Sequence, residues 1–326
     1  MSSRPPMASL ADRLLASDRA AVAESLNCID DQRPAGREQA LALLAALEPR
    51  VGAAGALRIG VTGAPGAGKS TLLDACVRVL RQGGSTVGII AVDPSSQRTG
   101  GALLGDRFRM RSSARDPGVF VRSMAARDRL GGLADATHGG IEILSAAFDV
   151  VFVETVGVGQ SEADVAGQVD TTVFVAQPGA GDLLQFMKAG VLELPDIFFV
   201  NKADTGAAAQ RTASELRAGL GLGEQKSADW APPVLVGAAR DGLEVDSLLD
   251  HIHRHRALLE ETGRLAALRR RARAEAMLRS LLHRYGTWGT DRIGGPDAIR
   301  ERLEDERTAS IFGLHTVLSS EIEGAN

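Results

Sequence analysis

The chain has 326 residues, 44% hydrophobic and 24% charged, with a net charge of -4 at pH 7, which is enough material for one large α/β core with helical additions. Its apolar runs fall short of the roughly 18–20 residues needed to cross a bilayer, and its acidic balance argues against nucleic acid as a main partner. Asp12, Asp18 and Glu24 close to the start fit neither a secretory nor a transit segment, so the expected location is cytoplasmic. The two cysteines, Cys28 and Cys76, make neither a disulfide framework nor a metal cluster.

Residues 1–54 read as an N-terminal helical arm. Leu10, Leu14, Leu15, Val22 and Leu26 form one helical stretch and Leu41, Leu43, Leu44 and Leu47 another, with a polar break at 30–36. From residue 57 short β-rich runs take over, at 57–62, 86–92, 119–122, 150–154, 171–176, 197–201 and 234–236. Several are apolar throughout and alternate with helix-length segments. That is the pattern of strands buried on both faces of a doubly wound, mainly parallel sheet, here spanning residues 55–257.

The first run leads directly into Gly63-Ala64-Pro65-Gly66-Ala67-Gly68-Lys69-Ser70 and then, from Thr71, into a helical segment. A strand before and a helix after is the context a phosphate-binding P-loop requires. Glycines let the backbone wrap closely around a β-phosphate, and the helix N-terminus supplies positive potential. Lys69 is placed to reach the β- and γ-phosphates, and the Ser70 hydroxyl to ligate Mg2+. The run at 150–154 ends on Glu154, and Gly157 follows it at the spacing acid-x-x-Gly. This suits a second Mg2+ carboxylate, with a backbone N–H at Gly157 that contacts a γ-phosphate and releases it after hydrolysis.

Asn201-Lys202-Ala203-Asp204 follows the apolar run ending at Val200. A carboxylate at Asp204 can accept from both N1–H and N2–H2 of guanine, whereas adenine offers an acceptor at N1 and nothing at C2. Stranding a buried anion discriminates by about 10⁴, so the nucleotide is expected to be GTP, hydrolysed to GDP. Asn201 is expected to tie this loop to the phosphate loop, Lys202 to lay its stem along the base, and Gly237, Ala238 and Ala239 to offer a backbone contact to guanine O6.

The C-terminal part, residues 258–326, is helical and arginine-dense from Arg264 through Arg269, Arg270, Arg271, Arg273, Arg279 and Arg284. Leu265, Leu268, Ala272, Met277, Leu278, Leu281 and Leu282 recur beneath them at helical spacing. The plain reading is an amphipathic helix with a solvated arginine face; the other is a surface for an acidic partner. Only four lysines occur, Lys69, Lys188, Lys202 and Lys226, and two of them sit in the nucleotide motifs, where a compact ammonium does what a forked guanidinium cannot.

Between the motifs stand Asp93-Pro94-Ser95-Ser96, Thr99-Gly100-Gly101-Ala102-Leu103-Leu104-Gly105-Asp106-Arg107, the block from Glu154 to Glu162, and Gln177-Pro178-Gly179-Ala180-Gly181-Asp182. Together they closely resemble the MeaB/ArgK-type GTPases, which include chaperones associated with methylmalonyl-CoA mutase. The resemblance implies a G-protein chaperone for an adenosylcobalamin-dependent acyl-CoA mutase, in which the client and not this chain binds the cobalamin. It places Asp93, Asp106 and Glu154 on carboxylates linked to Mg2+ and hydrolysis. It also makes residues 93–109 switch I, 154–162 switch II and 177–188 a further loop coupling nucleotide state to the client, and it implies a homodimer formed through the C-terminal helices. In Ras-like enzymes a glutamine directly after the switch II glycine orients the attacking water, but here Val158 holds that place and Gln160 is the nearest glutamine. Slow intrinsic hydrolysis is therefore expected, with Arg107 or Arg109 as candidate transition-state cations.

Two other readings stay open on the residues alone. A GTPase metallochaperone for nickel enzymes shares this architecture but needs a metal site, and His251, His253 and His255 alternate along a predicted helix and so point to different sides. An ATP-dependent, transport-associated kinase or ATPase is the third.

Overall fold

A computed structural model describes residues 7–31, 33–51, 55–94, 116–126, 135–155, 165–179, 195–221, 229–305 and 307–324; at 7–9, 93–94, 125–126 and 135 it describes the backbone alone. They fall into two compact units, one drawn from Met1–Ala56, Ala134–Phe148 and Ala266–Asn326, the other from Leu57–Leu133 and Asp149–Leu265.

The second unit is built on a seven-stranded sheet: β1 (Leu57–Thr62), β2 (Val87–Pro94), β3 (Val119–Ala126), β4 (Val150–Glu154), β5 (Thr171–Ala176), β6 (Ile197–Val200) and β7 (Val234–Val236). The strand order is β3-β2-β4-β1-β5-β6-β7, and every pairing is parallel. β2 and β3 run further than their apolar residues predict, because their parallel register continues through Asp93 opposite Ala125 and Pro94 opposite Ala126. Helices α4 (Lys69–Gln82), α6 (Ala207–Leu220) and α7 (Val245–Glu261) lie in this unit.

Alternation along the strands gives each sheet face its own core. On one face Ile59, Phe152, Val173, Val175 and Phe199 pack with Leu72, Leu73 and Cys76 of α4 and Leu248 and Ile252 of α7. On the other, Phe174, Phe198 and Val200 pack with Ala209, Ala213 and Leu216 of α6. Burying each such large side chain contributes about 1.5–3 kcal/mol. The Cys76 thiol lies inside the first core, where burial pushes its pKa up to about 12 and leaves it unreactive. β1 sits in mid-sheet between β4 and β5, so the loop after it opens at the carboxyl edge, where doubly wound sheets bind ligands.

The other unit is helical: α1 (Met7–Leu15), α2 (Arg19–Asp30), α3 (Pro34–Leu47), α5 (Asp135–Ala147), most of α8 (Arg264–Asp291), α9 (Gly295–Glu304) and α10 (Ile311–Gly324). The first apolar stretch is two helices instead of one. Ser17 takes a left-handed φ of 57°, and Asp18 caps α2 by accepting from the N–H groups of Ala20 and Ala21. Pro34 opens α3 at its first turn.

Arg264, Arg271 and Arg284 of α8 are exposed as expected, but Arg269, Arg270 and Arg273 depart from the solvated face. Arg269 is buried and donates to Ala56 O at 2.6 Å. Arg270 donates to the carbonyls of Glu304, Asp305 and Thr308 at the end of α9 and beyond. Arg273 grips Glu142 of α5 bidentately at 3.0 and 3.1 Å. Glu48, just after α3, lies 4.0 Å from the Arg273 guanidinium and accepts from Ser310 Oγ and Ile311 N at the start of α10. These guanidinium groups join helices of the unit to one another. Gly286, with φ 66° and ψ -178°, breaks α8 near its end.

Candidate functional site

The loop between β1 and α4 is shaped by close approach as much as by flexibility. Gly63 has φ 135°, and a Cβ there would stand 2.2 Å from Val175 O. Gly68 has φ 95°, and a Cβ there would stand 2.3 Å from Asn201 Nδ2. At Gly66 a Cβ would make only an ordinary contact, 4.0 Å from Gln177 Oε1, so it is the left-handed φ of 78° that calls for glycine. Ala64 and Ala67 are buried, whereas Pro65 and Gly66 form an exposed apex.

Lys69, 7% exposed, turns its ammonium back into the loop and donates to Gly63 O at 2.7 Å and Ala64 O at 3.1 Å. Ser70 Oγ donates to Glu154 Oε1 at 2.6 Å. Glu154 is buried at the end of β4, in register with Val61 of β1 and Ala91 of β2. A hydroxyl and a carboxylate oxygen in contact, beside the N-terminus of α4, are hard oxygen donors that fit Mg2+, which takes few ligands from protein and the rest from phosphate and water. Among the described residues no group of three or more His, Cys, Asp or Glu is arranged to hold a metal. Thr71 is exposed in the first turn of α4.

Asn201 links three segments. Its Nδ2 donates to Ala67 O at 2.9 Å and its Oδ1 accepts from Ala239 N at 3.0 Å, so the tie to the phosphate loop is present and a second one reaches the loop after β7. Lys202 has a left-handed φ of 58°, and its Nζ donates to Gly66 O and Gln177 Oε1, both at 2.9 Å.

One expectation needs correction. Asp204, expected as a buried anion, sits in a single 3-10 turn, Ala203–Thr205, and is exposed. The N–H groups of Gly237, Ala238 and Ala239 are all engaged inside the protein, with Val200 O at 2.9 Å, Leu243 O at 3.2 Å and Asn201 Oδ1 at 3.0 Å. Gly237 is also needed for packing, since a Cβ there would meet Leu243 O and the Phe199 ring at 2.5 Å.

The side chain of Asp93, and the whole of Asp106, Arg107, Arg109, Gly157, Gln160 and Lys188, lie outside the described residues. The three histidines of α7 go to separate places: His251 Nδ1 contacts Ser247 O at 2.7 Å, His253 is exposed, and His255 is buried with its Nδ1 2.9 Å from Thr171 Oγ1.

Residues 22–285 match the family described as methylmalonyl Co-A mutase-associated GTPase MeaB. The chain belongs to the MeaB family. Among the relatives of this MeaB-family chain, a protein of Pyrococcus horikoshii that carries the name of a GTPase is 45% identical over 280 residues, covering 85% of this chain and 86% of that one. GTPase ArgK of Escherichia coli is 39% identical over 270 residues, covering 81% and 80%. A crystal structure described as LAO/AO transport system kinase aligns over 99% of both chains with a TM-score of 0.71 and 27% identity. With its P-loop and Asn-Lys-x-Asp loop on one edge of a parallel sheet, this MeaB-family protein is a GTPase.

Proposed function

We propose that this GTPase is a chaperone of an adenosylcobalamin-dependent acyl-CoA mutase, gating cofactor loading and protecting or reactivating the mutase, while the client holds the cobalamin. The client class is supported by the family description, which names methylmalonyl-CoA mutase. The observation that carries the nucleotide reading is Asn201, one side chain that joins the phosphate loop to the base loop.

On this reading the backbone N–H groups of residues 63–70 and the first turn of α4, including Thr71, receive the phosphates. Lys69 exchanges two neutral carbonyls for anionic β- and γ-phosphate oxygens, which bind an ammonium more strongly. Ser70 and Glu154, with Asp93 and Asp106, hold Mg2+, which neutralises charge developing on the transferred phosphate. Ser70 can keep its proton on Glu154 while offering a lone pair. Gly157 N–H reads the γ-phosphate, Asp204 reads N1–H and N2–H2 of guanine, and a backbone N–H among Gly237, Ala238 and Ala239 exchanges its internal acceptor for O6. With Val158 after Gly157, unstimulated turnover stays below about 1 s⁻¹ until the client reorders the switches. The protein acts in the cytoplasm as a homodimer through its C-terminal helices.

The test has two arms. GTP and GDP displace a fluorescent GDP analogue while ATP at the same concentration does not; equal competition by ATP overturns the guanine reading. Adding a cobalamin-dependent acyl-CoA mutase raises GTP turnover, and turnover unmoved by such mutases overturns the client reading.

A further inference from the structure

One contact of the base loop belongs to none of the motifs. Gln177 follows directly on β5, half-buried, and its Oε1 accepts from Lys202 Nζ at 2.9 Å. The same ammonium donates to Gly66 O at 2.9 Å. Gln177 Oε1 also lies 4.0 Å from the point a Cβ on Gly66 would occupy, so the amide stands over the apex of the phosphate loop. An ammonium carries three donors on a flexible four-carbon stem. With two of those donors placed, the stem between them and the backbone is stretched along one path. Lys202 is also one of three non-glycine residues with positive φ among the described residues, a conformation disfavoured for any residue with a Cβ. The side-chain tie helps to hold it.

We propose that Gln177 is a positioning residue for the guanine nucleotide: it anchors the Lys202 ammonium over Gly66, so that the aliphatic stem is a fixed platform for the base, and it thereby sets how fast GDP leaves. The proposal rests on the reading of Asn201, Lys202 and Asp204 as the base site. Gln177 acts through Lys202, so its effect falls on nucleotide release and leaves phosphoryl transfer alone.

The experiment follows release of a fluorescent GDP analogue from the full chain into excess unlabelled GDP. Gln177→Ala, and Gln177→Met, which keeps the length but lacks the carbonyl acceptor, release the analogue about 10–100-fold faster than wild type, as expected for loss of one charge-assisted hydrogen bond. Gln177→Glu, which accepts at the same place, returns to within about twofold. Single-turnover hydrolysis of pre-bound GTP stays within about twofold in all three, and Gln177→Ala adds nothing to Lys202→Ala, the pattern of two residues acting as one unit. Release within twofold of wild type in both the alanine and methionine variants overturns the proposal, as does a Gln177→Ala factor that multiplies fully onto that of Lys202→Ala. Failure of the wild-type chain to bind the analogue breaks the base-site reading instead.

Discussion

The two lysines of the nucleotide loops and Arg273 of α8 answer the same need, a cation held inside a folded chain, in opposite ways. Lys69 and Lys202 each donate to two neutral oxygens, Gly63 O with Ala64 O and Gly66 O with Gln177 Oε1. Arg273 is clamped by both oxygens of the Glu142 carboxylate. Neutral acceptors can be given up to an incoming phosphate with a gain in energy, whereas a bidentate carboxylate leaves nothing to exchange. On the proposed reading the compact ammonium marks a part of the molecule that exchanges partners, and the bidentate guanidinium of Arg273 a part that does not.

The sharpest way to break this contrast is at Lys69. Lys69→Ala is expected to lower GTP turnover by about 10³-fold, the scale of losing one preorganised charge at the transferred phosphate, with little change in melting temperature. Lys69→Arg is expected to fare no better, because a forked group does not fit between Gly63 O and Ala64 O. Turnover measured on both variants checks this, and wild-type activity in Lys69→Arg would remove the distinction between the two cations.

Arg273 gives the converse effect, of comparable size but on stability. Arg273→Ala leaves the buried Glu142 carboxylate without its bidentate partner, and breaking such a pair costs about 3–5 kcal/mol. Arg273→Lys is expected to recover only part of that loss, since a point charge cannot match both carboxylate oxygens. Chemical denaturation gives the stability, and GDP affinity measured below the transition is expected to stay at the wild-type value. A lysine variant as stable as wild type would show that charge alone, without fork geometry, holds these helices.

The sheet was legible in the sequence because strands buried on both faces are mostly apolar, as at 57–62, 150–154 and 171–176, where Arg58 and Glu154 are the charged exceptions. The phosphate and base loops were legible because their chemistry demands fixed residues at fixed spacing after a strand. What stayed hidden depends on partners far away in the chain. Arginine in an amphipathic helix reads as solvated, and only the fold brings Glu142 to Arg273, 131 positions apart. Ser17 carries no apolar signal, so the turn it makes between α1 and α2 was passed over, although Asp18 as a cap was there to be read. The exposure of Asp204 is not legible in its motif, because the Asn-Lys-x-Asp spacing specifies the residue and not how far its short 3-10 turn is covered. Gln177 lies outside every nucleotide motif, and nothing in its neighbours signals that it meets Lys202.

The smallest effect tests whether the guanidinium framework also sets the acid limit of the helical unit. His315 of α10 is buried and contacts Ser280 Oγ at 3.2 Å. Burial, and then the positive charge of Arg284, lower its pKa from 6.5 to about 4. A histidine with a depressed folded pKa binds fewer protons folded than unfolded, so its contribution is fully present above about pH 6.5 and is lost as pH falls toward 4. The slope it adds in that window is at most about 1.4 kcal/mol per pH unit. His315→Gln, which keeps a polar contact to Ser280 but does not titrate, is expected to be less stable than wild type at pH 7 and to show a flatter decline between pH 6.5 and 4.5 in denaturant midpoints. An unchanged slope would show that His315 does not set the acid limit of the helical unit.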